Sequence, residues 1–86
     1  MRRAGPVPKV KLEACKALLE AYEGGVVDYG DIAKIMSLKG GATLNYAHYI
    51  VRELLMLGIL ERVKYGRYKV NVDKLKEYIQ NLSEAH

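Results

Sequence analysis

The sequence predicts a single mainly α domain with a small β-hairpin (α+β), in the order helix, strand, helix, helix, strand, strand, helix. Three observations carry this expectation. Apolar residues recur at helical spacing as far as Gly58, alternate with polar ones from Ile59 to Asn71, and then return to helical spacing. Glycine pairs at Gly24-Gly25 and Gly40-Gly41 interrupt the helical stretches. A chain of 86 residues, half of them apolar, suffices for one core but not for two.

Residues 1 to 8 contain Gly5, Pro6 and no periodic pattern, so they are expected to form a flexible basic arm carrying Arg2 and Arg3. Pro8 suits a first helical turn. From Lys9 to Tyr22, Leu12, Cys15, Leu18, Leu19 and Tyr22 make one stripe. Val10, Ala14, Ala17 and Ala21 make a second, small-residue face that admits a close helix, either inside the domain or across a dimer. Val26-Val27 reads as a short extended stretch able to edge a sheet. Asp28 is the expected N-cap of a short helix from Tyr29 to about Met36, with its side chain bonding the next turn and Ile32, Ile35 and Met36 inward. Ser37 to Gly41 breaks that pattern. Thr43 then caps a third helix, about 43–57, with Leu44, Ala47, Val51, Leu54 and Leu55 inward. Ile59 to Val63 and Arg67 to Asn71 form a hairpin whose tip uses Gly66 for a positive backbone angle. The last helix runs from Val72 or Asp73 to about Leu82, and 83–86 is expected to be a frayed tail.

The net charge of +4 is unevenly placed. Arg2, Arg3, Lys9 and Lys11 near the start, and Arg62, Lys64, Arg67 and Lys69 on the hairpin, are eight of the fourteen bases, and no acid falls among them. The other six bases face all ten acids. Concentrated positive charge points to a polyanionic partner. Nothing approaches the roughly 20 apolar residues of a membrane span, and the start shows no secretion signal, so a cytoplasmic location is expected. The single cysteine, Cys15, makes neither an internal disulfide nor a thiolate cluster. With one glutamine, no Trp or Phe and abundant Lys, Arg, Glu, Ile, Val and Tyr, the composition leans toward proteins of hot environments.

Two helices joined by a glycine-containing turn make a helix-turn-helix, in which the second helix lies in the DNA major groove. The stretches Asp31-Ile32-Ala33-Lys34-Ile35-Met36, Val51-Arg52-Glu53-Leu54-Leu55 with Leu57-Gly58-Ile59-Leu60-Glu61-Arg62-Val63, and Tyr65-Gly66-Arg67-Tyr68-Lys69-Val70 together resemble the winged-helix family of small bacterial and archaeal DNA-binding regulators. The resemblance covers about residues 9 to 71. It implies a winged helix-turn-helix fold and a non-enzymatic protein that binds double-stranded DNA, a transcription regulator or chromosome-associated protein. Compared with the family, the turn before the third helix is longer and richer in glycine, the wing is short, and no sensor domain or Cys/His cluster is present.

On the third helix Asn45, His48, Tyr49 and Arg52 recur on the side away from the apolar stripe, as a groove-reading face requires. Asn pairs with adenine and Arg with guanine, while Thr43 and Tyr46 near the helix start are placed for phosphates. The bland reading is a solvated helix face. For Arg62, Lys64, Arg67 and Lys69 the expectation is contact with the backbone or minor groove, against a solubilising strand edge. Arg2 and Arg3 add attraction indifferent to sequence. His48 has no metal or triad partner at suitable spacing and no phosphate-binding loop is present, so no catalytic residue, metal, cofactor or small-molecule ligand is expected. A homodimer through the first and last helices is expected. The competing reading is a protein-docking module anchored by Tyr46, Tyr49 and Met56. RNA binding is compatible with the same residues.

Overall fold

A computed structural model describes residues 8–84. Arg2, Arg3 and the rest of the predicted arm before Pro8 lie outside the described residues, as do 85–86. Four helices, α1 (Pro8–Ala21), α2 (Tyr29–Leu38), α3 (Leu44–Met56) and α4 (Val72–Glu84), combine with strands β1 (Val27–Asp28), β2 (Leu60–Lys64) and β3 (Arg67–Val70). The predicted element order is the observed one, a mainly helical α+β architecture. No described helix is long and apolar enough to cross a membrane.

The helices bury their apolar stripes in one core, with Leu18, Ile32, Met36, Ile50, Leu54, Leu60 and Leu75 fully enclosed. Ile50, absent from the predicted stripe of α3, takes a central place. Leu44, predicted inward, is about half exposed, whereas Ala42 just before the helix and Ala47 in its first turns are buried. The small-residue face of α1 is used inside the domain: Ala14 and Ala17 are buried, and Ala14 lies directly against the backbone of Gly40. The apolar side of α4 packs on the same core through Leu75, Tyr78, Ile79 and Leu82, and α1 and α4 lie against each other. The surfaces expected to join two copies are therefore largely occupied within the chain.

Three boundaries move. Strand β1 is Val27–Asp28, one residue later than the expected Val26-Val27, since Val27 and Asp28 are the residues that pair with Tyr68 and Arg67. Helix α2 runs on through Ser37 and Leu38, since neither residue breaks a helix; the Gly40 and Ala42 amides close the end on the Met36 carbonyl. Helix α4 includes Ser83 and Glu84, which were expected to fray, and Gln80 donates to Glu84 at 3.2 Å. Its start is capped by Asn71, whose Oδ1 accepts from the Lys74 amide at 3.1 Å.

The antiparallel sheet has the order β1-β3-β2, so β3 is central and β1 lies on its far side from β2. Leu60 stands opposite Val70, Glu61 opposite Lys69, Arg62 opposite Tyr68 and Lys64 opposite Arg67, with an irregularity between Arg62 and Lys64. Directly opposed residues share a face. Val27, Tyr68, Val70, Leu60 and Arg62 thus belong to the inner face, whereas Asp28, Arg67, Lys69 and Glu61 belong to the outer one.

Burial of Cys15 pushes its thiol up to about 12, and burial likewise pushes Tyr78 up to about 12 against the opposing pull of Lys11. Above pH 9 an unfolded chain releases the thiol proton while the folded chain keeps it, so stability must fall as pH rises. Between about pH 9 and 12 the slope from Cys15 alone is about 1.4 kcal/mol per pH unit. Urea unfolding from pH 7.5 to 10 checks this: midpoints should be level below pH 8.5 and decline beyond it. Cys15→Ala should lower the whole curve but flatten the decline between pH 9 and 10; an unchanged decline counts against the assignment.

Candidate nucleic-acid interface

Helix α3 supplies the first part of the candidate surface. Thr43 Oγ1 accepts the Tyr46 amide at 3.1 Å, so Thr43 starts the helix and keeps its hydroxyl proton for donation outward. Asn45, Tyr49 and Arg52 are exposed on adjacent turns, and Met56 continues the same face at 87% exposure. Among the described residues, Asn45 and Arg52 make no side-chain hydrogen bond or ion pair.

Two predicted contacts turn out to be flanks of this face. His48 is half-buried: its ring stacks on Tyr29 with centroids 5.3 Å apart, and Nδ1 lies 3.0 Å from the Tyr29 hydroxyl. At its position on the wheel, His48 meets the start of α2 instead of open solvent. Tyr46 turns to the opposite flank. Its ring stacks on Tyr49, but its hydroxyl is shielded from solvent, which removes it from phosphate reach. Burial raises the Tyr46 phenol, partly offset by the Lys11 charge.

Lys11, counted among the concentrated bases, is also spoken for. Its Nζ sits 2.8 Å from Glu53 Oε1 in a largely covered position joining α1 to α3. Burial pulls the Lys11 ammonium down, yet the Glu53 carboxylate and the nearby tyrosines outweigh it and the net shift is upward. This pair holds α3 against α1 from its inner flank and contributes no free charge to the surface.

The hairpin bases divide by face. Arg67 Nε lies 2.6 Å from Asp28 Oδ1, with both side chains about half exposed. Asp28 does occupy the N-cap of α2, but its side chain makes no cap hydrogen bond, because the β1-β3 register sets it opposite Arg67. Lys69 stands across from Glu61. The expectation of a hairpin without compensating acids is therefore corrected at Arg67, whose acid comes from β1, while Lys69 makes no ion pair with Glu61. Arg62 and Lys64 are exposed and make no ion pair among the described residues. Arg62 lies on the inner face beside Tyr68, where β2 has run past the core.

Tyr29 joins these parts, and sequence reasoning gave it no such role. Its amide donates to the Gly66 carbonyl at 3.0 Å, its ring is tilted against Tyr68 at 6.0 Å, and its other neighbour is His48. One residue thus connects the hairpin tip to the flank of α3, while the adjacent Asp28 holds Arg67. The only local signal was an aromatic at the first position of a helix, which does not name a partner. Among the described residues no group of His, Cys, Asp and Glu is arranged to hold a metal. No protein-family model matches the chain, and no curated protein or solved structure matches it either.

Proposed function

We propose that the protein is a winged helix-turn-helix domain that binds double-stranded DNA, as a transcription regulator or chromosome-associated protein. In this reading α3 enters the major groove and the β2-β3 hairpin follows the backbone. The observation that carries it is the state of Asn45 and Arg52: both project from one helix face with their hydrogen-bonding capacity unspent inside the protein. Those two side chains suit the edges of adenine and guanine, and the Thr43 hydroxyl is placed for a phosphate. On the hairpin, Arg62, Lys64 and Lys69 supply positive charge with no ion-pair partner among the described residues, while Arg67 is paired with Asp28.

Phosphate contacts release counterions, so binding must weaken steeply with salt. With four or five such contacts, affinity for a labelled duplex should fall roughly 100- to 500-fold between about 50 and 200 mM salt. Lys64→Ala should weaken every duplex alike and reduce the logarithmic salt slope by about 0.9. Absence of duplex binding at micromolar protein in low salt would sink the proposal.

A docking module for another protein is the second reading, favoured by Met56 at 87% and Tyr49 at 53% exposure on the same helix. Nuclease treatment separates the two: a partner recovered equally with and without nuclease supports docking, and one lost with the DNA supports the first reading.

A further inference from the structure

We infer that Tyr65 is a base-stacking contact at the tip of the β2-β3 hairpin, directed at duplex DNA containing an unpaired base; this rests on the DNA-binding reading above. Tyr65 is 96% exposed. Among the seven tyrosines it is the one that, within the described residues, has no ring partner, no side-chain hydrogen bond and no packing on the core. Its ring therefore does nothing for the fold.

The position is nonetheless a prepared one. Gly66, at φ +73°, lets the chain reverse immediately after Tyr65. The Gly66 carbonyl accepts the Tyr29 amide at 3.0 Å, and Arg67 is held by Asp28 at 2.6 Å, so the returning strand is tied to α2 at the residues next to the ring. A ring carried on an anchored turn loses less freedom on binding than one on a loose loop. Lys64 before it, which makes no ion pair among the described residues, brings phosphate to the same spot.

Magnitudes decide which nucleic acid fits. Stacking one base on an aromatic side chain is worth roughly 5- to 150-fold in affinity. Prying apart a sound base step costs a comparable factor, so a single ring gains little from an intact duplex. Where a base is already unpaired, that cost is absent and the stacking gain is retained.

The experiment compares three labelled duplexes: blunt and fully paired, the same duplex with a single-nucleotide bulge, and the same bulge lacking its base. The expected result is that the bulged duplex binds roughly tenfold tighter than the blunt one and that the base-free bulge loses the advantage. Tyr65→Ala should abolish the preference while leaving blunt-duplex affinity within about twofold, and Tyr65→Phe should keep it, since the ring and not the hydroxyl stacks. Equal affinity of the parent protein for the bulged and base-free duplexes, or a preference that survives in Tyr65→Ala, overturns the inference and leaves the DNA-binding reading standing. Failure to bind any duplex overturns both.

Discussion

Gly40→Ala should destabilise the protein by about 3 kcal/mol, lowering the melting temperature by about 12–24 °C in a domain of this size. A Cβ at residue 40 would come within 2.5 Å of Ala14 Cα and 2.7 Å of the Met36 carbonyl oxygen. Both obstacles are backbone, so no side chain can swing aside. Relief requires α1 to retreat from the turn between α2 and α3, and the buried neighbours Ala14, Leu18 and Met36 would lose packing with it. Gly30→Ala is the control: it adds the same methyl to α2 with nothing within 4 Å, and helix propensity makes it neutral or stabilising by up to about 1 kcal/mol. Thermal unfolding of the two variants side by side tests the contact. A Gly40→Ala protein within 1 kcal/mol of the parent would mean that α1 does not press on the turn as described.

That contact shows where sequence reading stops. Helical periodicity identified the small-residue face of α1, yet period gives a face and never its partner, so Ala14 fitted a second helix or a second copy equally well. The partner proved to be the backbone of Gly40, which looks in sequence like an ordinary turn residue. The same limit applies to the candidate site. Asn45, Tyr49 and Arg52 were legible because their exposure follows from the apolar stripe on the other side of α3. His48 sits at the margin of that face, where the neighbouring element decides, and Tyr29 covers it. Asp28 was read correctly as the residue at the N-cap and incorrectly in what its carboxylate bonds. A carboxylate there can reach either the helix amides or a base across the strand, and only the β1-β3 register brings Arg67 opposite. Long-range pairing was invisible for Lys11 and Glu53 for the same reason.

Arg52→Ala and Asp28→Asn should change DNA binding in opposite directions and in different ways. Arg52 projects from the third turn of α3 with its guanidinium free, the condition for a bidentate bond to a guanine edge. Its removal should cost about 1–3 kcal/mol at the preferred sequence, roughly 5- to 150-fold in affinity, and only a few-fold on unrelated duplexes. Selectivity collapses more than binding. Asp28, by contrast, holds Arg67 in an exposed ion pair, the kind worth at most about 1 kcal/mol and therefore readily exchanged for a phosphate. The Asp28 side chain makes no cap hydrogen bond that could be lost, and asparagine is an equally favourable N-cap residue, so Asp28→Asn keeps α2 while removing the competing charge. All duplexes should then bind a few-fold tighter, with the order of preference unchanged and the salt slope steeper by up to about 0.9. Selection of bound sequences from a random duplex pool, followed by titration of the parent and both variants on the best and an unrelated sequence, measures these effects together. Uniform weakening by Arg52→Ala would make Arg52 a phosphate contact, and an Asp28→Asn protein that binds no tighter would show that the Arg67 charge never meets the duplex.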